Sequence, residues 1–168
     1  MTHPLIEQLR FTRREWRRGL DGVSDEDAVR HFGPMNCLSW TVGHLAWHEQ
    51  RYWLQRAQGR VLFPQLNILF AYGAPMNTPA LTDLLDIWRQ VTQAADPYLG
   101  ALTSSTLQTE LRLDGQSIGQ SVGSAVRRVT YHYWYHLGEM QAIRQMLGHA
   151  DLPEYVGDLE EDAPYRPE

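Results

Sequence analysis

Apolar positions recur at helical spacing in four stretches of this chain, and no alternating run is long enough to support a sheet-based fold. Residues 4–20 place Leu5, Leu9, Trp16 and Leu20 on one side of a helix and Arg10, Arg13, Arg14, Arg17 and Arg18 on another. The pattern predicts an amphipathic helix with a solvated arginine face. Ser24, with Asp27 three positions on, resembles a capping box and opens a short helical turn that ends near Gly33-Pro34. Residues 38–58, LSWTVGHLAWHEQRYWLQRAQ, contain no proline and predict a long second helix, which Gly59 ends.

Residues 59–79 hold Gly59, Pro64, Gly73, Pro75 and Pro79 without sustained periodicity and predict a long connection. Thr82 or Asp83 can cap a third helix that runs to about Leu102, with Pro97 ending or kinking it. In the polar stretch 103–120, LQTELRLDG suits a small hairpin arm, and Ser121 opens the last helix. That helix ends at Gly148 and carries Val122, Val126, Val129, Tyr133, Met140, Ile143 and Leu147 along its inner stripe. The predicted fold is all-α: a four-helix bundle with a long crossover connection between helices 2 and 3. Its 168 residues and 43% apolar content suit a single domain over 1–168.

Composition narrows the setting. The single cysteine, Cys37, excludes an internal disulfide framework and favours a cytoplasmic location. No apolar run approaches the roughly 20 residues that span a bilayer, so no membrane association is expected. All fifteen basic residues are arginine, and the net charge is −5. Residues 151–168, an acidic tail with three prolines, hold seven acids and one arginine; the rest of the chain is near neutral. Nucleic-acid binding, which needs a basic surplus facing phosphates, is not expected. The tail should run as an extended segment, with the arginines of the first helix as a possible dock.

Histidine spacing supplies the candidate chemistry. His132 and His136 are four residues apart and share the inward stripe of the last helix. Two buried imidazoles need partners, and a shared divalent cation binding neutral ring nitrogens meets that need. His44 and His48 repeat the spacing within HLAWHE on the second helix. Three protein ligands leave an open site, whereas four imidazoles would close it. His48 lies nearer the stripe of Thr41, Leu45 and Tyr52, while His44 shares a face with Trp40 and Trp47, so spacing leaves the choice open with a slight tilt to His48.

SWTVGHLAWHEQRYW, followed some ninety residues later by YHYWYHLGEMQAIRQMLGH, resembles the DinB/YfiT-like metalloprotein superfamily over nearly the whole chain. In that family a histidine followed by Leu-Ala on the second helix joins an HxxxH pair on the last long helix. The resemblance therefore implies His44, His132 and His136 as metal ligands, with His48 a secondary candidate. It further implies a homodimer holding a divalent ion, zinc or nickel foremost. Some members use the ion to bind and deprotonate a low-molecular-weight thiol for nucleophilic attack. The expected function is that of a metal-dependent enzyme acting on a small-molecule substrate, of thiol S-transferase or hydrolase type. The alternative is a non-catalytic metal-binding or stress-response dimer.

Other residues have plainer readings. Glu139 follows His136 by three and can orient its ring. Trp40, Trp47, Trp53, Tyr131, Tyr133, Trp134 and Tyr135 suit a pocket wall, a core or a dimer contact. Cys37 reads as buried and structural, and His3, His31 and His149 as solvated end residues. A di-iron carboxylate site is excluded, because it needs Glu-x-x-His on two helices and the chain has none.

Overall fold

The computed structural model describes residues 2–166. It is mostly helical, in the order α1 (Pro4–Arg18), α2 (Asp25–Ala28), α3 (Leu38–Glu49), a π-helical continuation (Gln50–Arg56), α4 (Leu66–Leu69), α5 (Leu81–Gly100), α6 (Ser104–Leu107), β1 (Glu110–Leu113), β2 (Gln116–Ser121), α7 (Val122–Met146) and α8 (Leu159–Asp162). The two strands pair as a small sheet, turning at Asp114 and Gly115, both with positive φ. The small hairpin arm expected at LQTELRLDG is therefore present, with its second strand running on to Ser121. No helix among the described residues is long and apolar enough to cross a membrane.

The chain divides into two compact units. The first comprises Met1–Gly22, Leu99–Leu111 and Gly119–Glu168. In it α1 packs along α7, with Trp16 edge-on to Tyr133 at 5.6 Å between ring centroids. Gly19 closes α1 where Leu137, Met140 and the Tyr155 hydroxyl crowd in, leaving no room for a Cβ. Arg144 of α7, itself buried, donates to the Gly19 carbonyl and so satisfies the end of α1. Caps begin these helices as the sequence suggested for α7, where Ser121 accepts from the Ser124 N–H. The His3 ring, read as a solvated end, instead caps α1 by accepting from Leu5 N–H.

The second unit comprises Val23–Tyr98 and Arg112–Ile118. Ser24 caps α2 as expected, and α2 and α4 pack on α3. Every residue of α3 is buried, polar Ser39, Thr41, His44, His48 and Glu49 included, so the helix has no solvated face. Beyond Glu49 the helix widens to π geometry, where a uniform α-helix was expected; Gly59, with φ of 66°, still ends it. Gln50, wholly buried, fixes the following connection: its Oε1 accepts from Leu62 and Phe63 N–H at 3.0 and 2.8 Å, and its Nε2 donates to the Phe63 carbonyl at 3.0 Å. α5 starts at Leu81, so Thr82 and Asp83 lie in its first turn instead of capping it, and Pro97 is carried inside it.

The tail lies on α1, as the arginine positions suggested, but it is not extended throughout, because Leu159–Asp162 form α8 behind an Asp158 cap. Arg14 Nη2 donates to the Asp162 carbonyl at 3.1 Å, and Arg18 Nη2 to the Glu154 carbonyl at 2.6 Å. Gly157 N–H donates to Glu15 Oε2 at 2.8 Å, and Arg166 reaches Glu7 at 3.8 Å. The arginine face is not uniformly solvated, since Arg13 is buried. Arg18, doubly bonded to Glu15, holds the Glu15 carboxyl below its ordinary value of 4.5; burial opposes this and the Gly157 N–H reinforces it. A lowered folded pKa gives stability that is complete above the unfolded value and lost as pH falls through the folded one. Glu15→Gln should therefore lower stability by roughly 1–2 kcal/mol at neutral pH. The difference from wild type should close as pH drops below 4.5. Thermal melts of both proteins across this range check it; a gap that stays constant into acid would contradict the assignment.

Candidate metal centre

His44 belongs to the second unit, and His132 and His136 both belong to the first. In the second unit, the His44 ring is 6% exposed. It stacks on Trp40 at 4.9 Å and 13° and leans against Trp47 at 5.3 Å. Its Nδ1 lies 2.7 Å from the Phe70 carbonyl. A carbonyl only accepts, so Nδ1 carries the proton and Nε2 the lone pair, the tautomer a metal requires. Gly43 permits this contact, because a Cβ there would stand 2.5 Å from the Phe70 ring. Trp47 anchors the same connection by donating from Nε1 to Asn67 Oδ1 at 3.0 Å.

In the first unit, His132 and His136 lie one turn apart on α7, with ring centroids 4.5 Å apart and Nε2 atoms 3.0 Å apart. Two nitrogens each about 2.0–2.1 Å from one cation stand about 3 Å apart when they fill neighbouring positions. His136 is buried, and its Nδ1 donates to Glu139 Oε2 at 2.6 Å. Glu139 also accepts from the exposed Tyr135 hydroxyl; this bond and the carboxylate charge push the phenol pKa up.

His44, His132 and His136 are a group that could hold a metal ion, each offering one ring nitrogen. The donor set fits such an ion, because the Nδ1 atoms of His44 and His136 are already committed to oxygen acceptors. His48 does not belong to the cluster; it is buried against Tyr52, at 4.8 Å between ring centroids.

The remaining candidates fall elsewhere. Cys37 is buried beside Ser39, as read. Trp40, Trp47, Trp53 and Tyr133 are core, whereas Tyr131 and Tyr135 are exposed. His149 accepts from Arg144 Nε at 3.1 Å, and the His31 ring bonds the Met35 carbonyl at 3.0 Å. Sequence reasoning missed the Phe70 carbonyl, which no side-chain pattern announces. It also passed over Gly43, although a glycine inside a helical pattern beside a candidate ligand is itself a packing signal.

No curated protein is similar enough to this chain to be matched with it. Residues 8–140 match the family described as the DinB superfamily. With most of its length in that match, including all three clustered histidines, the chain belongs to the DinB superfamily.

Proposed function

We propose that the chain is a metal-dependent enzyme acting on small molecules, in which His44, His132 and His136 hold a divalent ion, zinc or nickel. The observation that carries this reading is the three-histidine cluster itself, with two of its rings already fixed through Nδ1. Three imidazoles leave at least one position for a substrate atom. A divalent ion held there would supply the charge that deprotonates a bound thiol or activates a water. The chain's own part is to present three neutral imidazoles in fixed orientation, with Trp40 and Trp47 keeping water from the faces of His44. Thiol S-transfer with a low-molecular-weight thiol is the leading reaction and hydrolysis the second.

The whole chain, 1–168, works on this reading as one cytoplasmic domain and pairs as a homodimer. Support for pairing comes from apolar side chains left in solvent, notably Ile68 at 72% and Tyr72 at 92% exposure. Untagged protein, purified without added metal, should contain about one divalent ion per chain and sediment at twice 19.4 kDa. It should consume a small thiol in the presence of an electrophile, or hydrolyse a small ester or amide, and stop on chelation. Activity that survives complete metal removal would overturn the enzyme assignment. Bound metal with no turnover of either substrate class would replace it with the non-catalytic reading.

A further inference from the structure

A short polar contact to one of the three histidines is made by a residue outside the set. Glu139 Oε2 lies 2.6 Å from His136 Nδ1, in the range of a charge-assisted bond. Both residues belong to α7 at i and i+3, so one rigid turn of helix sets their geometry. His136 is 7% exposed and cannot rotate into water to escape the contact. The carboxylate is braced in turn by the Tyr135 hydroxyl, and the Tyr135 ring stands edge-on to His136 at 5.1 Å and 84°. His44 is held differently, because its Nδ1–H is accepted by a neutral peptide carbonyl.

We propose that Glu139 is a positioning residue of the metal centre, making His136 its strongest donor. The proposal rests on the three-histidine reading above. A carboxylate on Nδ1–H fixes the tautomer with its lone pair on Nε2 and draws the Nδ1 proton, raising electron density at Nε2. A peptide carbonyl fixes the tautomer at His44 but supplies no charge. The three ligands are thus unequal, and the α7 end of the site dominates affinity. Tyr135 contributes by holding one rotamer of Glu139, not by touching the ion.

The test compares Zn(II) and Co(II) dissociation constants, by chelator competition, for the wild type, Glu139→Ala, Glu139→Gln, Tyr135→Phe and the alanine variants of His44, His132 and His136. Glu139→Ala should weaken both ions about 10–100-fold. Glu139→Gln, which keeps an acceptor oxygen and loses the charge, should fall between alanine and wild type, and Tyr135→Phe should change binding least. The visible spectrum of the Co(II) form should shift in Glu139→Ala and Glu139→Gln, while the melting temperature of the metal-free proteins stays near wild type. A purely structural role would do the reverse, moving the metal-free melt and leaving the Co(II) spectrum unchanged, and would overturn the proposal. Unchanged dissociation constants in both Glu139 variants, alongside lost binding in the histidine variants, would also overturn it while leaving the three-histidine site standing. If the histidine variants bind as wild type does, the site reading itself falls and this inference with it.

Discussion

Replacing His44, His132 or His136 with alanine should weaken metal binding far more than the ~10–100-fold that loss of an outer hydrogen-bond partner costs, whereas His48→Ala should have a smaller effect. Each of the three offers a ring nitrogen to one cluster, and two remaining imidazoles are too few to outcompete solvent. His48 is buried against Tyr52 and lies outside the cluster, so its loss opens a small gap in the packing and removes no donor. Metal-to-protein ratios after dialysis at neutral pH check all four variants. If His48→Ala loses its metal while His44→Ala keeps it, the ligand set is His48, His132 and His136. Acid should release the ion as well, because protons compete for the same ring nitrogens.

Gly43→Ala should be the most damaging small substitution near the site. On helix propensity alone, alanine would stabilise this position by about 1 kcal/mol. The added Cβ, however, would stand 2.5 Å from two Phe70 ring carbons and 2.8 Å from a third, so the ring must move. Phe70 is 2% exposed, so displacing its ring disturbs the side chains packed around it. Overpacking of this kind costs typically 1–3 kcal/mol, which outweighs the propensity gain. Moving Phe70 also pulls its carbonyl from His44 Nδ1, so metal affinity should fall together with the melting temperature. A variant that melts higher than wild type and binds metal unchanged would show that the connection yields freely at Phe70.

The two halves of the histidine cluster were not equally legible in the sequence. On α7, buried Val126, Val129, Tyr133 and Met140 mark an inward stripe, and His132 and His136 read directly against it. On α3 every residue is buried, so no polar face exists against which a wheel can orient His44 or His48. The HLA motif carried that choice, because the wheel's slight tilt to His48 had no polar face to rest on. The π-helical stretch at Gln50–Arg56 escaped notice because it depends on which carbonyl each N–H finds, and the apolar residues there fit an α pattern equally well. Buried Arg13 escaped for a related reason, since an arginine in a run of arginines carries no mark of being the one that turns inward. The chain's helical stretches, Gly59 as a stop and Ser24 and Ser121 as caps were legible because they rest on local chemistry alone.

The strap formed by the tail has its own consequence for sequence tolerance. Arg14 and Arg18 hold the carbonyls of Asp162 and Glu154, and Glu15 holds the N–H of Gly157. Those three handles belong to the main chain, so replacing the Glu154 side chain leaves its link to Arg18 in place. What α1 reads is chiefly the path of the backbone, to which the Asp162 carboxylate adds a longer contact with Arg14 at 3.5 Å. A proline at 157 would remove a handle that a change of charge at 154 would not. The acids outside that contact, Glu154 among them, are available for another task, keeping like-charged assemblies of the protein from aggregating in solution.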